Sequence, residues 1–455
     1  MDINLRQCFH LEPYRGLMND PNGLARFKGK YYVFFQWNRF EKNHSYKEWG
    51  YFTSEDMVDW EFSGSALVPD RRFDCDGVYS GSAIEIDGML YIFYTGNNKQ
   101  NGIRTSRQCL AVTEDGKKFL KKGSVLDTPE EYTQHFRDPK VFKTEQGYRM
   151  IIGAQRKNGL GAVAIAASED AVKWGDVKTL AFTDKYEMIE CPDIFCVDGQ
   201  YVLTYCFQKR DNENDRELGS FAVYKPVFAD TDAEVLTNPC LDDDFRCIDK
   251  GFDFYAPQTF LDDDGRRIIY GWMSRLSEKQ EKILSDNSMS LHCLTIPREL
   301  SYKNRELYQR PVREMYQMLG KNLKVFENGS EKHIVNDERT CWLRIDEINP
   351  EEKMTVNING GEAAVETVGN NVKFKRLNWD DNSTEEKEFA VSGIKSLELW
   401  ADNSSVEIFI NEGEAVFSAR IFPTAAAAVI IITGLNEKTL IEARKIVKQG
   451  GNQND

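Results

Sequence analysis

The sequence lacks the clustered metal- and cofactor-binding residues found in many enzymes. Its 455 residues include five histidines, none spaced as in H-E-x-x-H, and ten cysteines without a C-x-x-C pair. It contains no glycine-rich phosphate loop, and no G-x-G-x-x-G motif follows a strand. These absences exclude the common zinc and nucleotide motifs, and we expect neither a metal nor another cofactor.

Long apolar runs and an excess of positive charge are also missing. No run of about 18 apolar residues occurs, so no membrane span is predicted, and the first residues do not resemble an export signal. The chain carries 73 acidic and 58 basic residues, a net charge of −15, which disfavours nucleic acid or an anionic membrane as a partner. We expect a cytoplasmic protein with reduced cysteines that binds a small molecule. The sequence leaves the oligomeric state open.

What the sequence does contain is a five-fold repeat. Five times, a short apolar run is followed by a turn glycine and then by a second, more aromatic run. The glycines recur at intervals of 52 to 66 residues, as Gly29, Gly88, Gly147, Gly199 and Gly265. Each repeat has room for about four short strands, and helical periodicity is nearly absent. This pattern is typical of the blades of a β-propeller.

The repeat and the segment that follows it predict an all-β chain with two domains. Residues 1–301 are predicted to form a five-bladed β-propeller, the catalytic domain, and the charged residues 302–330 to form a linker with a short helix. Residues 331–455 contain short alternating strands separated by Asn, Gly and Asp. They predict a C-terminal antiparallel β-sandwich, which we expect to stabilise the propeller.

Three acids occupy one equivalent position of the repeat. Nine residues before the successive turn glycines stand Asp20, Tyr79, Asp138, Glu190 and Ala256. If the repeats surround an axis, the three acids converge on one pocket. Two carboxyl groups beside a scissile bond are what glycosidic bond cleavage requires, so the register indicates a glycosidase.

Nine short segments around and beyond these acids form a distinctive combination. They are Asn19–Gly23, Phe35–Asn38, Trp49-Gly50, Tyr79–Ser82, Arg137–Pro139, Glu190–Asp193, Tyr255–Gln258, Gly271-Trp272 and Ser404–Phe409. Together they resemble glycoside hydrolase family 32, the β-fructofuranosidases, and most of all its bacterial branch that acts on sucrose 6-phosphate. The resemblance covers nearly the whole chain. It implies a five-bladed propeller followed by a β-sandwich, in agreement with the repeat.

The resemblance also implies a role for each acid in a retaining hydrolysis. Asp20 would be the nucleophile that attacks C2 of a fructosyl unit, and Glu190 the general acid and then the base. Asp138 would hold fructose hydroxyls and stabilise the oxocarbenium-like transition state. Burial and the charge of Asp20 should raise the pKa of Glu190, whereas Arg137 should keep Asp138 ionised.

Side chains near the acids are expected to bind the sugar. Polar groups there can form hydrogen bonds with hydroxyls, and aromatic faces can line the pocket. The candidates are Asn19, Gln36, Trp49, Tyr79, Ser80, Arg137, Tyr255 and Trp272. Trp37 fits the blade core equally well, because its neighbour Gln36 should point to the opposite face of the strand.

The loops that should surround the pocket mouth carry positive charge. Such a rim can bind the phosphate of an anionic substrate or the leaving group, although acidic residues share the same loops. The predicted rim residues are Arg39, Lys42, His44, Lys47 and Arg156. Two departures from the family pattern lie nearby: Asn38-Arg39 replaces Asn-Pro, and Glu48–Tyr51 replaces His-Trp-Gly-His. Both concern the leaving group rather than the acids.

Several functions are therefore compatible with the sequence. The leading hypothesis is a β-fructofuranosidase acting on sucrose 6-phosphate or sucrose. An exo-acting fructan β-fructosidase, which trims inulin or levan oligosaccharides, is the nearest alternative. An inverting arabinan-type propeller enzyme would need more widely separated carboxyl groups. A catalytically silent, sugar-binding propeller is the alternative outside the enzymes.

Overall fold

The computed structural model describes residues 4–211, 216–228 and 236–447. Within these residues the regular elements are β-strands, apart from one α-helix, α1 (Glu278–Asp286), and one 3₁₀ helix, Arg313–Met318. The protein is therefore all-β, as predicted. No helix in the described part of the chain is long and apolar enough to cross a membrane.

Residues 16–311 form five sheets. The first contains β1 (Gly16–Phe27), β2 (Lys30–Asn38), β3 (Glu48–Ser54) and β4 (Glu61–Leu67). The second contains β5 (Val78–Ile86), β6 (Met89–Gln100), β7 (Ile103–Thr113) and β8 (Leu120–Asp127). The third contains β9 (Tyr132–Thr144), β10 (Gly147–Arg156), β11 (Gly161–Ser168) and β12 (Lys178–Phe182). The fourth contains β13 (Glu190–Val197), β14 (Gln200–Asp211), β15 (Arg216–Val227) and β16 (Arg246–Cys247). The fifth contains β17 (Tyr255–Leu261), β18 (Arg267–Met273), β20 (Cys293–Leu294), β21 (Arg298–Lys303) and β22 (Glu306–Pro311). The strand between β18 and β20 in the chain, β19 (Ser290–Leu291), belongs to the first sheet.

The turn glycines explain why the repeat is visible in the sequence. Each lies at or next to the tight turn between the first two strands of a sheet, and all five have φ between 76° and 107°. Only glycine adopts this region without strain. In three of the turns the preceding residue (Lys28, Asp87 or Asp198) also has positive φ, as a type I′ hairpin turn requires.

The first strands of the five sheets lie side by side. β1 contacts β5, β5 contacts β9, β9 contacts β13, β13 contacts β17, and β17 contacts β1. The short strand β19 pairs in parallel with β1, so that a segment from the end of this region closes onto its beginning. The ends of the five first strands are thereby brought to one place.

Each first strand has an irregularity at the position that the repeat singled out. The pairing register shifts between Met18 and Pro21, between Tyr79 and Gly81, between Glu190 and Asp193, and between Tyr255 and Gln258, and it also shifts where Asp138 lies in β9. A bulge re-aims side chains at the end of a strand. The acids are therefore carried on bulges that turn them away from the regular alternation.

The remaining strands form two larger sheets. One contains β23 (Leu319–Asn322), β26 (Cys341–Asp346), β31 (Leu397–Ala401), β32 (Ser405–Ile410), β33 (Ala415–Arg420) and β35 (Leu440–Ile446). The other contains β24 (Val325–Asn328), β25 (Glu331–Asn336), β27 (Met354–Ile358), β28 (Ala363–Val368), β29 (Asn371–Leu377), β30 (Thr384–Ala390) and β34 (Ala428–Thr433). Alternate residues of both sheets, such as Leu343, Val356 and Ile408, share one buried apolar core.

The hairpin of β21 and β22 crosses the boundary predicted at residue 301. β21 pairs with β18 and β22 pairs with β21, so the fifth sheet extends to Pro311. The residues predicted as a linker, 302–330, therefore include β22, the 3₁₀ helix, β23 and β24. Their charged side chains occupy exposed strand and turn positions, which composition alone does not distinguish from a linker.

A buried charged cluster joins the two parts of the chain. Arg298 on β21 is fully buried, and its Nη1 and Nε donate to Asp249 Oδ2 at 3.0 Å and Glu407 Oε2 at 2.9 Å. His10 Nδ1 and Nε2 lie 2.8 Å from Asp402 Oδ2 and 2.9 Å from Glu407 Oε1. We call these five residues the interface cluster. It connects the five-sheet region with β32 and the turn before it.

Candidate active site

One cavity is lined by the first strands of all five sheets. Its lining includes Asn22 from β1, Ser80 from β5, Asp138 from β9, Cys191 from β13 and Gln258 from β17. Because these residues are distant in sequence, the ring of first strands is what brings them together. Of the three acids in register, Asp138 lines this cavity, and Asp20 and Glu190 directly precede the lining residues Pro21 and Cys191.

Asp20 is held at both carboxylate oxygens. Ser80 Oγ donates to Oδ2 at 2.5 Å, and Asn19 Nδ2 donates to Oδ1 at 3.0 Å. The side chain is half-buried, so its carboxylate is oriented without being sealed from solvent. This is the arrangement that a nucleophilic carboxylate needs.

Glu190 is paired with Arg137 and Tyr255. Arg137 Nη2 donates to Oε1 at 2.6 Å, and the Tyr255 hydroxyl donates to Oε2 at 2.6 Å. Burial favours the protonated form, but the charge of Arg137 and the two hydrogen bonds outweigh it and hold the pKa of Glu190 below its usual range. The prediction that the Glu190 pKa is raised is therefore wrong for the unliganded protein.

Asp138 is the acid that keeps a proton. It is buried, and burial together with the charges of Asp20 and Glu190 raises its pKa to about 7, against the opposing effect of Arg137. The Cys191 backbone N–H donates to Oδ2 at 3.1 Å, whereas Arg137 Nε is 3.8 Å away. The expectation that Arg137 keeps Asp138 ionised is corrected, because the guanidinium is directed at Glu190.

Several predicted sugar-binding residues contact the acids directly. Asn19, Ser80, Arg137 and Tyr255 make the hydrogen bonds described above, and Asn19 Nδ2 also donates to Gln36 Oε1 at 2.9 Å. These five side chains form two hydrogen-bonded groups, one around Asp20 and one around Glu190.

The aromatic candidates differ in burial and contacts, and Trp272 is as buried as a core residue. Trp272 packs against Tyr255, with ring centroids 6.5 Å apart, and its buried Nε1 has no hydrogen-bond partner within the described residues. Tyr79 is half-buried and accepts a hydrogen bond from Arg104. Trp49, in contrast, is fully buried and donates to the Tyr79 carbonyl at 3.0 Å, so it supports the pocket wall and does not line the pocket. Trp37 also lies in the core.

The five predicted rim residues have different environments. Arg39 pairs with Glu48 at 3.0 Å, Lys42 Nζ donates to the carbonyls of Ser285 and Ser288, and Arg156 Nη2 donates to the Thr183 carbonyl at 2.6 Å.

His44 and Lys47 lie further inward. His44 packs against Trp272, with ring centroids 6.0 Å apart, and burial together with the charge of Lys47 lowers its pKa to about 3. The five residues thus do not form one continuous cationic surface.

Two contributors to the site were not identified from the sequence. Thr95, the last residue of an aromatic run, accepts a hydrogen bond through Oγ1 from the Asp138 backbone N–H at 3.1 Å. The Cys191 N–H is exposed to Asp138 because Cys191 has φ 47°. A backbone donor such as the Cys191 N–H cannot be recognised from the residue type. For Thr95, the only indication in the sequence is its position at the end of the aromatic run that begins at Met89.

Comparison with known proteins agrees with this geometry. Residues 10–311 match the glycosyl hydrolases family 32 N-terminal domain, and residues 351–442 match the glycosyl hydrolases family 32 C terminal. The sucrose-6-phosphate hydrolase of Bacillus subtilis is 38% identical over 430 residues, which cover 92% of this chain and 89% of that protein. The sucrose-6-phosphate hydrolase of Salmonella typhimurium is 35% identical over 426 residues, with coverages of 92% and 89%.

Solved structures share the fold over almost the full length. A mutant of the family GH32 β-fructofuranosidase from Bombyx mori in complex with sucrose has a TM-score of 0.85 and 26% identity, covering 98% of this chain and 95% of that one. The sucrose-6-phosphate hydrolase of Lactobacillus gasseri has a TM-score of 0.84 and 24% identity, with coverages of 98% and 93%, a likeness of fold. The chain belongs to glycosyl hydrolase family 32.

Proposed function

We propose that the protein is a retaining β-fructofuranosidase that cleaves sucrose 6-phosphate or sucrose and releases fructose. The observation that carries the proposal is the proximity of Asp20, Asp138 and Glu190, which come from three different sheets and lie close enough for the charges of Asp20 and Glu190 to raise the pKa of Asp138. The relatives named sucrose-6-phosphate hydrolases and the sucrose complex of the Bombyx mori enzyme support the substrate class.

The environments of the acids suit distinct roles. Asp20 attacks C2 of the fructosyl unit while the bond from C2 to the leaving oxygen breaks and Glu190 gives that oxygen a proton. Water then attacks C2, Glu190 accepts its proton, and the bond to Asp20 breaks. Asp138 accepts hydrogen bonds from fructose hydroxyls and stabilises positive charge on the ring.

As the general acid, Glu190 must be protonated at the start of the reaction, whereas the acid with the raised pKa is Asp138. In the unliganded protein Arg137 is directed at Glu190, while the Asp138 pKa is about 7. Arg137 also lies 3.8 Å from Asp138. When sugar hydroxyls donate to Asp138, they favour its ionised form, and a shift of the guanidinium toward it raises the pKa of Glu190. Substrate binding thereby prepares the general acid.

The architecture that supports this site is a five-bladed propeller followed by a β-sandwich. The five sheets, their adjacent first strands and the closure through β19 support five blades around one pocket. We propose that the propeller ends near Pro311 and that the sandwich begins with β23, so that the connecting segment is shorter than the predicted 302–330. The fifth sheet's extension to Pro311 favours a later propeller end.

For the phosphate, we propose Arg104 and Arg275 as ligands. The Arg104 guanidinium lies over the Tyr79 ring and that of Arg275 over the Tyr255 ring, 5.4 and 4.9 Å from the ring centroids. Arg104 Nη2 also donates to the Tyr79 hydroxyl at 3.0 Å, and Arg275 Nη2 donates to Ser220 Oγ, so both guanidinium groups are held beside residues predicted to bind the sugar. A phosphorylated substrate implies a cytoplasmic location, because sugar phosphates arise during import and do not leave the cell.

The decisive experiment compares fructose release from sucrose 6-phosphate, sucrose and short inulin under identical conditions, with the first-formed anomer followed by NMR. We expect the β-anomer first, and the highest kcat/KM on sucrose 6-phosphate. Preference for inulin would instead identify an exo-acting fructan hydrolase, and initial inversion an arabinan-type mechanism. No release from any of the three would leave a sugar-binding protein without catalysis.

A further inference from the structure

Lys47 lies beneath the nucleophile and not on the rim where the sequence placed it. Its side chain is buried, the whole residue being 7% exposed. Nζ donates to Asn19 Oδ1 and lies 2.8 Å from His44 Nδ1. The backbone is fixed as well, since the Lys47 carbonyl accepts from the Val78 N–H at 3.0 Å, just before β3 begins. The ammonium group is therefore held in a defined position.

This contact determines the orientation of the Asn19 amide. An ammonium group has three donors and no acceptor, so it can face only the oxygen of the amide. With Oδ1 toward Lys47, Nδ2 faces Asp20 Oδ1 at 3.0 Å and Gln36 Oε1 at 2.9 Å. The flipped amide would place its oxygen against the Asp20 carboxylate and its NH₂ against the ammonium. Both contacts of the flipped form are unfavourable.

The electrostatic environment of Lys47 distinguishes it from a structural lysine. Lys140, another buried lysine, lies 3.0 Å from Asp193. Within the described residues no carboxylate is at ion-pair distance from Lys47 Nζ. Burial lowers the pKa of Lys47 to about 8, opposed by the charge of Asp20, so the ammonium form prevails at neutral pH. Its positive charge is thus directed to the nucleophile through one amide.

We propose that Lys47 is a positioning residue that holds the Asp20 carboxylate through the Asn19 amide. The proposal rests on the nucleophilic role proposed above for Asp20. It predicts that Lys47 acts on the chemical step and not on the binding of fructose or of a phosphate.

The test is a double-mutant cycle on sucrose with Lys47→Met and Asn19→Ala. We expect Lys47→Met to lower kcat by about 10²-fold, as a misplacement of reacting groups does, with the inhibition constant for fructose changed by less than about threefold. Because Lys47 acts through Asn19, the double variant should be no slower than Asn19→Ala alone. If Lys47→Met does not fold, Lys47→Gln enters the same cycle.

Lys225→Met provides the matched control. Lys225 is also buried, and its Nζ donates to a backbone carbonyl, that of Cys240, far from the acids. Its loss should lower Tm in the same way as the loss of Lys47 and leave kcat unchanged. A loss of kcat in Lys47→Met no larger than in this control would reduce Lys47 to a structural residue and overturn the proposal.

Two further outcomes would also overturn it. Multiplicative losses of kcat in the double variant would mean that Lys47 acts independently of Asn19. A raised KM for sucrose 6-phosphate with an unchanged kcat would make Lys47 a phosphate ligand. Failure of the proposed function is separate, since it appears as an absence of fructose release from every substrate by the unaltered protein.

Discussion

The protein buries carboxylates in two places, the interface cluster and the pocket, and the pKa values of the buried acids Asp402, Glu407 and Asp138 are shifted in opposite directions. In the interface cluster, Asp402 and Glu407 have lowered pKa values, because hydrogen bonds and the charges of His10 and Arg298 outweigh the effect of burial. In the pocket, burial and two neighbouring acids raise the pKa of Asp138 to about 7. Equal burial thus leads to ionised carboxylates in one cluster and to a retained proton in the other.

The difference lies in the pairing of charge. Arg298 contacts two carboxylates, those of Asp249 and Glu407, through separate nitrogens, and His10 uses both ring nitrogens. Each carboxylate of the interface cluster therefore has a cationic nitrogen within 3.0 Å, and Asp402 also accepts from a backbone N–H. In the pocket, Arg137 is committed to Glu190. Removal of one partner from a fully paired buried cluster is strongly destabilising, whereas an underpaired cluster has perturbed pKa values of the kind found at functional sites.

The largest expected effect separates activity from stability in the pocket. Asp20→Asn should lower kcat on the preferred substrate by at least about 10⁴-fold, because it removes the proposed nucleophile. The change replaces one half-buried side chain by a near-isostere, so the far-UV spectrum and Tm should stay close to those of the unaltered protein. Asp263→Asn, at an exposed acid paired with Arg26, is the control and should keep full activity. Near-normal turnover by Asp20→Asn would refute the assignment.

At the interface we expect the opposite result, a loss of stability without a loss of activity. Arg298→Met should reduce the free energy of unfolding by about 3–5 kcal/mol, because it leaves Asp249 buried without a cation and Glu407 with His10 alone. Denaturant titration measures the loss, and kcat per folded molecule should not change. Arg310→Met removes a half-exposed pair with Glu412 and should cost about 0–1 kcal/mol. Equal losses in the two variants would contradict the importance of pairing in the interface cluster.

The interface should also be sensitive to alkaline pH. Burial alone lowers the pKa of His10, but hydrogen bonds to Asp402 and Glu407 raise it from 6.5 to about 9. The stability from the imidazolium is therefore fully present below pH 6.5 and is lost as pH rises through 9, by about 3 kcal/mol in total. Unfolding titrations from pH 6 to 9.5 measure this slope. His10→Gln should be less stable at pH 6 and show a flatter profile.

The sequence was sufficient for the all-β class and for the register of the acids, because both depend on local rules. The turn glycines mark positions that require positive φ, and the spacing back to each acid is set by the length of one strand. The five sheets follow the five repeats. Helix α1 was missed, although Ser277 and Gln280 form the capping box that marks its start.

What the sequence did not reveal depends on side-chain direction between sheets. Arg137 adjoins Asp138 in the chain but contacts Glu190 from the next sheet, and this choice reversed the predicted pKa values. Trp49 belongs to a family motif yet is buried behind Tyr79. Lys47 is in a charged loop but points inward to Asn19. Motifs identified these residues, and only tertiary structure assigned their contacts.

The smallest effect is the sharpest test of the comparison, because the same substitution should have opposite signs in the two clusters. Raising the Asp138 pKa from 3.8 to about 7 means that its stability contribution is fully present below pH 3.8 and is lost as pH rises through 7. Asp138→Asn does not ionise, so it avoids that loss. Its amide offers one acceptor oxygen where the carboxylate offered two, which leaves a net gain of about 1–2 kcal/mol at pH 8 that disappears near pH 4. Asp402→Asn should instead destabilise the protein at pH 8, since it removes the ionised partner of His10.

Denaturant titrations of both variants at pH 4 and pH 8 measure the two changes in the free energy of unfolding. A loss of stability in Asp138→Asn at pH 8 would show that the pocket acids are as well paired as those of the interface cluster.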